Sequence, residues 1–301
     1  MNATVSVNGK ISDAATATIS VFDHGFLYGE GVYETLRTYH KVPFLYERHA
    51  RRMRLSAALL ALEVPLDDAG ILAEIRRTID AHRGGLEEAY IRVLITRGIG
   101  ELSYSPAACP APSVVVIVKP FPMPPQRTFT QGIRVSLVSV RRNHPQALNP
   151  LIKSNNLINN ALAMQEALRR GAEEALMQNQ AGELVECSQS NFFLVRGGQL
   201  LTPPLSGGLL PGITREFILE LADEVGIPAR EHRLTPADLE TADEAFITGT
   251  TRELTPVVAV DDRQIGQGTP GELSTRLLRM YRERADALTR SLHPAAPQTN
   301  S

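Results

Sequence analysis

The chain of 301 residues is 43% hydrophobic and 21% charged, with a formal net charge of −2 at pH 7. That balance fits a soluble globular protein of one large or two ordinary domains and points to no nucleic-acid partner. Cys109 and Cys187 offer neither metal-ligand spacing nor a disulfide framework. No apolar run approaches about 18 residues, and the first residues lack the regions of a signal peptide, so a cytoplasmic protein is expected.

Thr4–Val7, an Asn8-Gly9 turn and Ile11 read as a hairpin. Val32–Tyr39 and Val42–Tyr46 read as a second one. From Glu47 to Leu62 the spacing becomes helical, with Met53, Ala57 and Leu60 on one face, and Pro65 closes it. Ile71–His82 predicts another helix, stopped by Gly84-Gly85. Tyr90–Thr96 and Val114–Val118 read as strands. The second is a β-branched run suited to burial on both faces. The prolines at 120, 122, 124 and 125 bar sheet and helix alike. Residues 120–126 are therefore the expected linker between a small α+β domain, 1–119, and a larger domain, 127–291.

The larger domain opens on strand Ile133–Val140. Helix Leu157–Arg170 follows, with Leu157, Ala161, Met164 and Leu168 inward and Gly171 as its cap. Strand Asn191–Val195, helix Thr214–Val225 with Ile218, Leu221 and Val225 inward, strand Glu244–Ile247 and helix Glu272–Leu288 complete it. Residues 292–301 read as a disordered tail. The expected class is α+β, two domains with a ligand cleft between them.

Chemistry is suggested at a few positions. Only four lysines occur, and one of them, Lys153, stands in Pro150-Leu151-Ile152-Lys153-Ser154-Asn155-Asn156, directly before a helix. An amine in an apolar, amide-lined setting suits Schiff-base chemistry; the plainer reading is a helix-start residue with its head in water. Leu210-Pro211-Gly212-Ile213-Thr214-Arg215 leads into a helix whose free N–H groups form an anion site, with Thr214 able to cap it. Gly249-Thr250-Thr251 places hydroxyls and N–H groups at a strand end, suited to phosphate or carboxylate. Of the arginines between Glu47 and Arg54, Arg52 is placed to turn inward to a phosphate. Glu186, beside small polar residues, could hold a protonated heterocycle nitrogen. Tyr90 and Arg92 share one strand face, an arrangement apt for a carboxylate.

These segments form an ordered set. Asp23-His24-Gly25-Phe26-Leu27-Tyr28-Gly29 precedes Gly31-Val32-Tyr33-Glu34, His49-x-x-Arg52, Tyr90-Ile91-Arg92 and Lys153-Ser154. Glu186 through Asn191, Leu210–Arg215, and Thr248-Gly249-Thr250 with Glu253-Leu254-Thr255-Pro256 follow. In order and spacing, from Val7 to Leu288, the chain resembles class IV aminotransferases, the fold-type IV pyridoxal 5′-phosphate enzymes. The resemblance implies a homodimeric transaminase. Lys153 would carry the cofactor and shuttle a proton. Glu186 would pair with the pyridinium nitrogen, and Leu210 would pack on the ring. Arg52, the N–H groups of Ile213 and Thr214, and Thr250 would hold the phosphate. Tyr90 and the Thr250-Thr251 turn would take the substrate's α-carboxylate, with Arg92 at the pocket edge.

Tyr28, Tyr33 and the Tyr90-x-Arg92 pair are most similar to branched-chain enzymes, which implies transfer between a branched-chain L-amino acid and 2-oxoglutarate. A D-amino-acid or (R)-amine transaminase is the alternative, then aminodeoxychorismate lyase. The arginine–histidine pair that D-amino-acid enzymes carry after Thr-Arg-Gly is missing, since Thr96-Arg97-Gly98 runs into Ile99-Gly100-Glu101-Leu102. Three residues depart from the family pattern. Thr35 replaces a glycine after Glu34, Leu157 stands for a tyrosine, and Cys187 for a glycine. The first two are expected at the pocket.

Overall fold

The computed structural model describes residues 2–292, so the expected tail, apart from Leu292, lies outside the described residues. β1 (Thr4–Val7) and β2 (Lys10–Asp13) form the first hairpin, with Asn8 and Gly9 at positive φ in the turn. α1 (His24–Leu27) is a single turn capped by the Asp23 carboxylate. β3 (Gly31–Tyr39) runs into β4, which spans only Val42–Pro43. The strand expected to reach Tyr46 is cut short because Leu45 turns left-handed at φ 52° and Tyr46 opens α2 (Tyr46–Leu59). α3 (Asp68–Asp80), β5 (Ala89–Thr96) and β6 (Ser113–Pro120) complete the first unit. Its antiparallel sheet has the order β2-β1-β6-β5-β3-β4. Pro120 pairs with Ala89, so the proline run does begin inside the sheet. It lies beyond the last β1–β6 pair, Thr4 with Val118, where a missing N–H breaks no ladder bond.

Alternation sorts the two central strands. Val32 and Leu36 share a face with Ile91 and Val93, which α2 and α3 cover through Met53, Ile71 and Ile75. Tyr33, Thr35, Tyr90 and Arg92 stand on the other face, toward the cleft.

The second unit starts with α4 (Gln126–Thr130), β7 (Ile133–Leu137), α5 (Ile158–Arg169) and β8 (Glu174–Gln178). β9 (Leu184–Cys187), β10 (Asn191–Arg196), β11 (Gln199–Thr202), α6 (Ile213–Glu224) and β12 (Ala229–Glu231) follow. β13 (Glu244–Gly249), β14 (Glu253–Val260), β15 (Arg263–Gln264) and α7 (Glu272–Arg290) end it. The sheet order is β12-β11-β10-β13-β14-β7-β8-β9, with β15 beside β14. One further pairing, Glu186 with Asn191, joins β9 to β10 and closes the path into a ring. Val135, Leu176, Phe192 and Ile247 belong to one core cluster of this sheet. Phe193, Phe217, Phe246 and Tyr281 form another with α6 and α7, and Phe44 of the first unit packs into it 5.6 Å from the Phe217 ring.

Two helix faces differ from expectation. α5 buries Ala163, Glu166 and Ala167, while Leu168 is 58% exposed. Alanines let the helix pack against β8, and Glu166 accepts from the N–H and hydroxyl of Ser139, each at 2.8 Å. A face written in alanine and glutamate carries no apolar stripe. Val225 is the C-cap of α6 and lies exposed past the buried Ile218 and Leu221.

Candidate active site

A cavity of about 190 Å³ lies between the cleft face of the small sheet and the second unit. Lys153 lines it from the loop before α5. An isolated bridge pairs Ser154 with Val32. Lys153 N–H donates to Ser56 Oγ at 3.1 Å, and its carbonyl accepts from Tyr33 N–H at 2.9 Å. The backbone is therefore bolted to α2 and β3, and Nζ lies 4.5 Å from the centroid of the Tyr33 ring. This is not a helix-start residue with its head in water, since α5 begins only at Ile158.

Glu186 is a strand residue of β9, buried to 4% exposure. Arg142 Nε donates to its Oε1 at 2.6 Å; Leu210 N–H and Asn191 Nδ2 donate to Oε2 at 3.1 and 3.4 Å. Asn191 Nδ2 also reaches Leu210 O at 2.9 Å, fixing the loop that enters α6. Arg142 is invisible in the sequence. It follows exposed Arg141 in an irregular loop and is itself buried, and no spacing marks it.

At the other end of the cavity, Gly212 rather than Thr214 is the N-cap of α6. A Cβ at Gly212 would come within 1.8 Å of Asn191 Oδ1, so only glycine fits. Thr214 sits inside the first turn, and its N–H and that of Ile213 have no acceptor within the helix. Thr250 and Thr251 line the same cavity from the turn joining β13 to β14.

Arg52 lines the cavity too, but most of its fork is engaged. Nε and Nη2 donate to the two oxygens of Glu34 at 2.7 Å each, and Nη1 donates to Pro211 O at 2.9 Å. His49 Nδ1 lies 2.7 Å from Glu34 Oε2. Burial pushes the Glu34 carboxyl up, yet Arg52 and His49 outweigh it and hold it well below the usual carboxylate range. Burial drives the His49 imidazole down against the pull of Glu34. His49 and Arg52 are three apart on α2, the spacing of one helix face, which is the signal that could have joined them.

On the strand wall, Tyr33, Thr35, Tyr90 and Arg92 face the cavity. The Arg92 guanidinium lies 4.1 Å from the centroid of the Tyr33 ring. Tyr28 is the exception among the expected residues. It does not line this cavity and packs instead on His24 and Tyr104, with ring centroids 4.9 and 5.2 Å away. Leu157 and Cys187 do line the cavity. Burial pushes the Cys187 thiol well up, so it stays a neutral packing group.

Residues 31–260 match the Amino-transferase class IV family. The chain belongs to the class IV aminotransferases. A Methanocaldococcus jannaschii relative is 40% identical over 279 residues, covering 93% of this chain and 95% of that one. The Salmonella typhimurium branched-chain-amino-acid aminotransferase is 33% identical over 282 residues, covering 91% and 90%. The crystal structure of the Escherichia coli branched-chain amino acid aminotransferase superposes with a TM-score of 0.89 at 30% identity, covering 98% and 97%. A T.th. branched-chain amino acid aminotransferase solved with pyridoxamine 5′-phosphate gives a TM-score of 0.89 at 31% identity, covering 94% of each chain.

Class IV aminotransferases are pyridoxal 5′-phosphate enzymes, and the cavity suits that cofactor. Bare backbone at Gly212 and Gly249, the Lys153 amine, and the Glu186 carboxylate, held by three donors with acceptor capacity to spare, fit a flat ring with an anionic tail. The hydroxyls of Ser190 and Thr248, both cavity residues, are buried without a hydrogen-bond partner among the described residues.

Replacing Arg52 with alanine should have two effects. Loss of one charge-assisted donor to phosphate should weaken cofactor affinity about ten- to hundredfold, from roughly 1.5–3 kcal/mol. Glu34 would also lose its main partner, and stranding a buried charge costs about 3–5 kcal/mol. Cofactor titration of the apoprotein and its melting temperature check each effect. An unchanged affinity would remove Arg52 from the phosphate site.

Proposed function

We propose that this aminotransferase moves the amino group between a branched-chain L-amino acid and 2-oxoglutarate. The names of the Salmonella typhimurium and Escherichia coli relatives support the branched-chain side. One observation supports the acidic side. Arg92 stands on the cavity wall over the Tyr33 ring and has no ion-pair partner among the described residues. An apolar side chain can lie along Tyr33 and Leu157, while a second carboxylate meets Arg92.

When bound, the cofactor supplies an aldehyde carbon and an electron-withdrawing ring. Lys153 would hold it covalently through Nζ and, as a free amine, would take or return a proton at the substrate α-carbon. Glu186, held rigid by Arg142 and Leu210 N–H, would keep the ring nitrogen protonated. Leu210 would pack on the ring. Ile213 and Thr214 N–H, the Thr250 hydroxyl and Arg52 Nη1 would bind the phosphate. Tyr90 and the Thr250-Thr251 turn would orient the α-carboxylate.

Separate half-reactions with leucine, glutamate, D-amino acids and (R)-amines, followed by cofactor colour, test this reading. In Arg92→Ala the leucine half-reaction should survive while glutamate and 2-oxoglutarate lose roughly 10–100-fold, the worth of a charge-assisted contact. Equal losses with both would remove Arg92 from specificity. Turnover of D-amino acids or (R)-amines alone would favour the second reading, for which Leu157 at the cavity is the supporting feature.

A homodimer is part of the proposal. Phe22, Phe26, Leu102 and Tyr104 are all at least half exposed, at 50%, 66%, 68% and 88%. The Asp23–Ile99 bridge and the Tyr28–Tyr104 contact gather them into one patch. An apolar patch of that kind suits association. Among the described residues no helix is long and apolar enough to cross a membrane, and both cysteines are free, in keeping with a cytoplasmic enzyme.

A further inference from the structure

The turn between β13 and β14 contains an unusual residue. Gly249 and Glu253 face each other across the hairpin, and Arg252 N–H donates to Gly249 O at 3.0 Å. This is a three-residue loop closed by a left-handed residue, a place where glycine is the easy choice. The residue there is Glu253, at φ 53°. A non-glycine side chain in that region persists when its surroundings over-determine it.

The surroundings do so. Glu253 is 2% exposed. Its Oε1 accepts from Arg37 Nη1 at 2.8 Å and from Tyr39 Oη at 2.7 Å; Oε2 accepts from Arg282 Nε at 2.7 Å. The Arg37 guanidinium is itself stacked, 3.9 Å from the Tyr39 ring centroid and 3.8 Å from that of Phe121. Arg37 and Tyr39 belong to β3, the strand that carries Tyr33 and Thr35 on the cavity wall. On the other side of the turn, Arg252 Nη2 lies 3.3 Å from Oε2 of Glu174, a fully buried carboxylate that also binds Ser188 at the cavity. The turn carrying Thr250 and Thr251 is therefore clamped from both sides. One clamp reaches across to the other unit.

We propose that Glu253 is a positioning residue, whose carboxylate ties the Thr250-Thr251 turn to β3 and so sets the distance between the α-carboxylate site and the side-chain wall. The proposal rests on the reading of that turn as the α-carboxylate holder. Side-chain recognition at Arg92 is separate, so loosening the clamp should weaken every substrate by the same factor.

Glu253→Gln tests this. The amide keeps the size and loses the negative charge that Arg37 and Arg282 share. KM for leucine and for 2-oxoglutarate should each rise about tenfold or more, with kcat changing less. Calorimetric binding of 4-methylvaleric acid, a carboxylate that cannot react, should weaken by the same factor. Glu253→Gly removes the carboxylate altogether. It relieves the left-handed strain but leaves buried Arg37 without its partner and the side-chain space empty, so it should melt lower than Glu253→Gln while binding carboxylate as poorly. Unchanged KM and carboxylate binding in Glu253→Gln overturn the proposal, and so do losses confined to one substrate. If Glu253→Gln fails to fold, Tyr39→Phe decides, since it removes one donor and leaves the ion pairs; unchanged KM there overturns it. Binding of 4-methylvaleric acid to the unaltered protein tests the underlying reading by itself, and only the difference between variants tests the clamp.

Discussion

Lys153→Ala should give a folded protein whose steady-state transamination has fallen by at least about 10³-fold, because nucleophile and proton shuttle vanish together. Folding should survive because the loop is held by backbone groups. Lys153 N–H binds Ser56, its carbonyl binds Tyr33, and Ser154 bridges to Val32. None of these uses the side chain. What the variant loses inside the cavity is an amine over the Tyr33 ring, a cation–π contact of about 0.5–2 kcal/mol. Circular dichroism and melting temperature establish the fold; rate assays with leucine and 2-oxoglutarate establish the loss. Turnover near the normal rate in a folded variant would end the assignment of Lys153.

Glu186→Gln is the second large effect, and the structure makes it a double one. The amide cannot hold the ring nitrogen protonated, so kcat should fall by about 10²-fold, the scale of one preorganised charge contact of roughly 2.7 kcal/mol. The substitution also removes the counter-charge of Arg142, whose Nε bonds Glu186 at 2.6 Å, whose Nη1 keeps only the neutral Asn159 Oδ1 at 3.1 Å, and whose side chain is buried. Breaking a buried ion pair by removing one partner costs about 3–5 kcal/mol, so the apoprotein should melt markedly lower. The double variant Glu186→Gln, Arg142→Met should recover much of the melting temperature and none of the rate. Recovery of the rate would show that Glu186 serves the fold alone. A full rate in the single variant would make it an ordinary acid.

Much of this site is legible in the sequence because its residues obey short rules. Tyr90 and Arg92 alternate on a strand, and period two places them on one face. Ile213 and Thr214 follow a Pro-Gly pair into a helix, and helix starts carry free N–H groups. His49 and Arg52 are three apart on a helix. The illegible parts lack a local rule. Arg142 reaches Glu186 from a loop 44 positions away in sequence. Glu34 and Arg52 meet because β3 and α2 pack, which neither segment states. The short strand Leu184–Cys187 hides because it contains the functional glutamate itself. The inward face of α5 escapes the apolar pattern because Ala163, Glu166 and Ala167 occupy it, and burial there is made possible by Ser139 in the segment after β7. Tyr28 is expected in the pocket through likeness alone, and within this chain it packs on His24 and Tyr104.

The Glu34–Arg52 pair bears on how the protein lives before its cofactor reaches it. An anion site built on a lone buried arginine would repel its own folding, since an uncompensated charge would have to leave water first. Here the counter-charge is built in, with His49 sharing it. The Arg52 charge is therefore compensated within the chain itself, with no ligand needed to neutralise it. Removing the cofactor should yield a recoverable apoprotein, not an aggregate.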